Sequence, residues 1–210
     1  LKWDAMGHTL EVLSKTSPKV ITRLAGLMHD IGKAQAQSVI DGDIHFYEHE
    51  QISSDIARTI MTRLAYPGTI IKAVTNAISN HMKLKQAGSD GELISDKALR
   101  RLKAKLGDHL EDTLNVIHAD NISHADAYNL PNQIKGIEKR MKDLDMGSGG
   151  KLAKPISGHD IIARYKLDAK RDWEYTKALN AAVEDAVLEN PKLTVKQAYA
   201  ITDKLYKKMK

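Results

Sequence analysis

Apolar residues recur at three- and four-residue spacing along most of the chain, which predicts helices and almost no strand. Trp3 to Leu13 forms a first apolar-periodic segment. Ser17-Pro18 reads as an N-cap and first helical residue. It opens a run with Val20, Ile21, Leu24, Leu27, Met28 and Ile31 that Gly32 is expected to stop. Residues 33–47 read as a loop, with a turn signal at Asp41-Gly42-Asp43. Glu48 to Leu64 is predicted helical, with Ile52, Ile56, Ile60 and Leu64 as its apolar stripe, and Tyr66-Pro67-Gly68 breaks it. Thr69 to Met82 repeats the pattern through Ile70, Ala73, Val74, Ala77 and Ile78, and Gly88 to Gly91 is loop. Ser95 to Leu106 is a basic helix. Asp108 with Glu111 looks like the capping-box start of a long helix through Leu110, Leu114, Ile117 and Asn121. Gln133 to Leu144 follows the break at Pro131.

Met146-Gly147-Ser148-Gly149-Gly150 is the clearest linker in the chain. Beyond it come a short helix from His159 to Tyr165 and an amphipathic helix with Leu179, Ala182, Val183, Ala186 and Val187. A last helix is capped by Thr194 with Gln197 three residues on. The expected fold is all-α, without a repeat of solenoid period. One helical domain covers 1–145, a Gly-rich linker 146–157, and a small helical module 158–210.

Composition sharpens this picture in three ways. The chain has 210 residues and no cysteine, so it can bury a core without staples and has neither a disulfide framework nor a thiolate metal site. A cysteine-free chain suits a reducing compartment, and the expected location is the cytoplasm. No apolar run approaches the ~20 residues that span a bilayer, so no membrane partner is expected. No signal-peptide pattern opens the chain, and it begins at Leu1, which reads as a fragment. Residues 1–150 carry 19 Lys/Arg against 19 Asp/Glu, whereas 151–210 carry 13 against 8. The excess positive charge therefore sits in the last segment, where it forms either a polyanion-attracting patch or a solvated Lys-rich face.

The chemistry lies in the histidines and carboxylates. His29-Asp30 ends an apolar helix, and adjacent helical side chains diverge by about 100°. The carboxylate can then bridge two metals while the imidazole binds one. His8 lies on the preceding helix and comes level with His29 if the two helices are antiparallel. His49 opens the next helix, His81 closes the one after it, and Asp120 sits midway along the long helix. Several helices each supplying one or two inward ligands is how bundles build metal sites. Each residue alone has an ordinary reading as a surface or capping group, and His109, His118 and His159 are expected to be of that kind. The set of His8, His29, Asp30, His49, His81 and Asp120 is what points to metal. Imidazole and carboxylate without sulfur select Mn, Ni, Co, Fe, Mg or Zn, as one or two divalent ions. Two ions ~3.5–4 Å apart would share an acidified water as nucleophile and clamp a phosphoester. A single-metal site without His49 and His81 is the alternative. Lys33 suits a phosphate oxygen or an ordinary helix-end charge. His124, one turn beyond Asp120, suits a general acid or a supporting role. His45 is placed at the pocket mouth.

The order His8, His29-Asp30, His49, His81, Asp120, with Met28-His-Asp-Ile-Gly-Lys33 around the pair, resembles the HD-domain phosphohydrolase superfamily. Its members are helical bundles that hydrolyse phosphoesters or nucleotides with one or two divalent metals. Ile44-His-Phe-Tyr-Glu-His-Glu50 and His118-Ala-Asp-Asn-Ile-Ser-His124 resemble the HD domain of bacterial tRNA nucleotidyltransferases, the CCA-adding enzymes and their poly(A) polymerase relatives. The usual pattern has Gly where this chain has Glu48. Lys154-Pro-Ile-Ser-Gly-His-Asp-Ile-Ile162 and the helices after it resemble the tail of those enzymes.

The resemblance implies a phosphatase, 2′-nucleotidase or 2′,3′-cyclic phosphodiesterase acting on nucleotide or RNA-terminal phosphoesters, with Asp30 and His124 in catalysis. The Gly-Ser element and strand-borne carboxylate pair of the nucleotidyltransferase head are missing, so the chain is not expected to add nucleotides by itself. The competing reading is an RNA-holding body, with tRNA as its partner and a structural or vestigial metal. Arg100, Arg101, Lys103, Lys105 and the tail lysines would then contact phosphates, and binding would weaken steeply with salt. A helical interaction protein without chemistry would need all six ligand positions to coincide by chance. A dNTP-cleaving enzyme would use the same ligands, but the tail favours the tRNA-enzyme branch.

Overall fold

Helix α1 (Ala5–Lys15) starts where the Asp4 carboxylate accepts the Gly7 N–H, an N-cap that the chain pattern alone does not single out. The computed structural model describes residues 4–125, 128–147 and 152–210, so Trp3 and the Ser148-Gly149-Gly150 part of the expected linker lie outside the described residues. Two compact units emerge, Leu1–Ile94 with Lys105–Lys142, and Ser95–Ala104 with Asp143–Lys210.

In the first unit, α2 runs Val20–Met28 rather than from Pro18. The Ser17 N–H is given to the Asn115 side chain at 2.8 Å, and the backbone stays extended at Lys19, which delays the helix. The helix also stops before Gly32, which keeps a right-handed φ of −77°. Gly32 is there for a close approach: a Cβ at this position would meet Ser53 N at 2.6 Å and His49 O at 2.8 Å. The expected loop over 33–47 holds a short helix α3 (Lys33–Ala36) and a hairpin of β1 (Gln37–Ile40) and β2 (Asp43–Phe46), paired antiparallel with Val39 opposite Ile44. Asp41 and Gly42 both take positive φ, the geometry that a two-residue hairpin turn requires. Strands of four residues are too short for alternation to stand out in the sequence.

Helix α4 (His49–Arg63) buries a different face from the expected isoleucine stripe. Ser53, Ser54, Ala57 and Met61 point inward, while Leu64 is 61% exposed. Small residues let α4 lie against α5 (Gly68–Asn80), close enough for the Ser54 hydroxyl to donate to Thr75 O at 3.2 Å. After the 3₁₀ turn His81–Leu84 the chain enters α6 (Asp96–Leu106), which belongs to the second unit as far as Ala104, and the first unit resumes with a 3₁₀ turn Gly107–His109, α7 (Leu110–Asn121) and α8 (Gln133–Asp143). The expected capping box at Asp108 does not form. Asp108 lies inside the 3₁₀ turn, and the Glu111 carboxylate pairs with Lys19 at 2.9 Å instead. Ala25, Met28, Ala57, Met61, Ile71, Val74, Ala77, Ile78 and Val116 form the core of this bundle.

The second unit packs α9 (Gly158–Tyr165), α10 (Trp173–Glu189) and α11 (Val195–Met209) around Ile156, Ile161, Leu179, Val183, Val187 and Ala198. Ser157 with Asp160 and Thr194 with Gln197 make complete capping boxes. Arg164 and Tyr165 both donate to Asp203, and these hydrogen bonds, Arg164 first, hold its carboxyl down at about 2. A lowered folded-state pKa gives stability that is complete above the unfolded value of ~3.9 and lost as pH falls through the folded one. Melting followed by Trp173 fluorescence should therefore drop between roughly pH 4 and pH 2, and Asp203→Asn should flatten that part of the curve. Among the described residues no helix is long and apolar enough to cross a membrane.

Candidate metal centre

Asp30 lies two residues past the end of α2, at the point where the first unit's helices converge. Its two oxygens face different partners. Oδ2 lies 3.2 Å from His29 Nε2 and 3.8 Å from His8 Nε2. Oδ1 lies 3.4 Å from His49 Nε2 and 3.8 Å from His81 Nε2. Asp120 closes the first side, with Oδ1 at 3.0 Å from His8 Nε2 and 3.8 Å from His29 Nε2. Asp120 is the second-last residue of α7 rather than midway along it. All six side chains singled out in the sequence are thus brought together. His8–His29–Asp30 and Asp30–His49–His81 are each a group whose ligand atoms lie within 4.8 Å of one another, and His8–Asp120–His124 is a third.

Three of the rings are set by one local device. His29 Nδ1 lies 2.8 Å from Gly26 O, His49 Nδ1 2.7 Å from Phe46 O, and His81 Nδ1 2.7 Å from Ile78 O, each a carbonyl three residues back. A carbonyl only accepts, so each Nδ1 carries a proton, and in the neutral ring each Nε2 presents a lone pair. Two of these nitrogens, His29 Nε2 and His49 Nε2, are buried without a hydrogen-bond partner among the described residues. Buried polar atoms are nearly always satisfied, so a pair of orphaned lone pairs beside a shared carboxylate fits a cation. The imidazole and carboxylate donors suit a divalent one.

Burial alone would raise the Asp30 pKa, but the imidazoles of His29 and His49 and the ammonium of Lys33 hold it well below the usual carboxylate range. Asp120 is likewise held low against its burial by His124, His8 and Lys85. His81, enclosed and beside His29, is pushed down to about 4.

A cleft of about 320 Å³ opens onto the group, lined by Asp4, Ala5, His8, Asp30, Lys33, Phe46, Ser123 and His124. Lys33 Nζ reaches Asp30 Oδ2 at 2.6 Å. His45 is not among the lining residues. It stacks on Tyr47 at 5.0 Å, and its strand neighbour Phe46 takes the wall. His124 lies beyond the end of α7, stacked on His8 at 5.1 Å, with Nε2 3.4 Å from Asp120 Oδ1. The positive φ of 58° at Glu48 explains why a glycine suits the position before His49.

The sequence reading missed Lys85, whose ammonium donates to Asp120 Oδ2 at 2.7 Å and lies 3.0 Å from His124 Nε2. Its only signal was its place four residues after His81. The basic residues of α6 are engaged within the chain. Arg100 donates to the carbonyls of Asp145 and Leu188, Arg101 pairs with Asp185, and Lys105 donates to the Asn80 side chain. Lys103 is also engaged.

Comparison with known proteins matches the same stretch. The model of the HD domain family matches residues 6–128. An A-adding tRNA nucleotidyltransferase from Deinococcus radiodurans is 27% identical over 124 residues, covering 56% of this chain and 27% of that protein's own length. A family match over more than half of the chain, running through the helices that converge on Asp30, makes this protein a member of the HD domain family.

Proposed function

We propose that the protein is a divalent-metal-dependent phosphohydrolase acting on nucleotide or RNA-terminal phosphoesters in the cytoplasm. The observation that carries this reading is the split of Asp30, one oxygen towards His8 and His29 and the other towards His49 and His81, beside two orphaned imidazole nitrogens. His8, His29, Asp30 and Asp120 would hold one ion, and Asp30, His49 and His81 a second. Divalent cations supply Lewis acidity to a phosphoryl oxygen and acidify water at neutral pH.

The chain's own residues do the rest. Lys33, one-third exposed at the cleft, takes a non-bridging phosphate oxygen. Phe46 and the His8–His124 stack give the cleft flat faces suited to a base or ribose. Of the two roles open to His124, general acid or support, the Lys85 ammonium 3.0 Å from its Nε2 favours support in the metal-free site, where that nitrogen accepts. The Deinococcus relative's name concerns tRNA, which supports an RNA end as the natural ester. The RNA-holding alternative draws less support, since Arg100, Arg101 and Lys105 are already bonded within the chain.

The test is phosphate release from nucleoside 2′- and 3′-monophosphates and ring opening of 2′,3′-cyclic nucleotides, with Mn, Ni, Co or Mg and after chelation. Turnover that appears only with metal is expected. A folded protein that turns over none of these esters with any of the four ions would sink the enzyme reading in favour of the RNA-holding one.

A further inference from the structure

Asp120 is asymmetric in a way that the ligand set does not explain. Its Oδ1 faces His8 at 3.0 Å, His124 at 3.4 Å and His29 at 3.8 Å. Among the described residues its Oδ2 faces only Lys85, at 2.7 Å. The same ammonium lies 3.0 Å from His124 Nε2 and so takes up the lone pair that would complete the His8–Asp120–His124 group. Lys85 follows the 3₁₀ turn His81–Leu84, with its N–H bonded to Met82 O, so the backbone that sets His81 also sets Lys85.

We propose that Lys85 is a positioning residue that acts as a built-in cation. It keeps Asp120 to a single free oxygen, withholds His124 from metal, and so limits the centre to the two sites that share Asp30. This rests on the metal-centre reading above. A fixed positive charge beside a ligand carboxylate repels a further cation, and its removal frees both an oxygen and an imidazole nitrogen.

Cobalt(II) is the probe, read by its visible absorption spectrum and by titration calorimetry on the full chain. Lys85→Met is expected to bind one more Co(II) than wild type, or to bind it about tenfold more tightly at the Asp120 side, with an altered spectrum. Lys85→Arg should keep the wild-type count and spectrum. Adding His124→Ala to Lys85→Met should restore the wild-type count. His124→Ala alone should change nothing in the number of ions bound, and this arm holds even if Lys85→Met fails to fold. Loss of an ion in His124→Ala would overturn the proposal, as would a Lys85→Met protein that binds Co(II) as wild type does or more weakly. Wild-type protein that takes up no Co(II) would bring down the metal-centre reading along with it.

Discussion

Asp30→Asn is expected to lower metal-dependent kcat/KM by at least about a thousandfold while leaving the bundle folded. An asparagine side chain fits the same space but offers one oxygen and one donating amide. It therefore cannot face His8 and His29 with one acceptor and His49 and His81 with another, as Asp30 does. Without metal the variant should also lose folding stability. Asp30 is nearly buried, yet against that burial His29, His49 and Lys33 hold its carboxyl well below the usual range, so the folded state favours the charge and removing it leaves those partners uncompensated. Metal widens the gap. A cation that binds only the folded state at a hundred times its Kd adds about 2.7 kcal/mol. Thermal melts with Mn and with chelator check both halves. Wild type should gain stability on adding Mn, and the variant should not. A variant that keeps its metal-induced shift and its turnover would remove Asp30 from the centre.

Gly32→Ala should cost about 3 kcal/mol of folding stability and weaken metal binding together. Its φ of −77° is open to any residue, so the effect is not backbone strain. The added methyl would run into the backbone of the first turn of α4, at Ser53 N and His49 O, and would crowd the Ser53 hydroxyl that accepts the Gly32 N–H at 2.9 Å. Backbone cannot rotate away as a side chain can. The turn holding Asp30 and the helix opening with His49 must separate, and those two side chains face each other at 3.4 Å. Gly68→Ala is the control, because a Cβ there meets nothing within 4 Å. Urea midpoints and Co(II) titrations should show Gly68→Ala near wild type and Gly32→Ala shifted in both. An unchanged Gly32→Ala would mean that the approach of these two segments does not position the site.

The helical framework was readable from periodicity because α2, α5, α7, α8, α10 and α11 bury apolar stripes of ordinary kind. Helix α4 was misread because its inward face is made of Ser53, Ser54 and Ala57, and closeness between helices leaves no apolar signature. The Asp108 box was misread because a capping residue is chosen by competition, and Lys19 bonds Glu111. Asp30, Asp120 and the four histidines that face them were legible from their chemistry, since few helices place histidines and acids at such points without reason. Lys85 was not legible, because lysines are common and its meaning comes from Asp120, thirty-five positions further along the chain. His45 and Phe46 could not be told apart before the hairpin fixed which one lines the cleft.

The two halves of the centre differ in how much polypeptide each one needs. Asp30, His49 and His81 all lie within residues 30–81, whereas His8 and Asp120, 3.0 Å apart in space, stand 112 positions apart in the chain. On a ribosome, Asp30, His49 and His81 are all made before the residue that closes the other side. The nascent chain therefore holds a half-built centre while residues 82–120 are added, and capture of the second ion has to wait for the C-terminal end of α7. A messenger cut short within that interval would yield a product that still has one potential ion-binding corner but no complete pair.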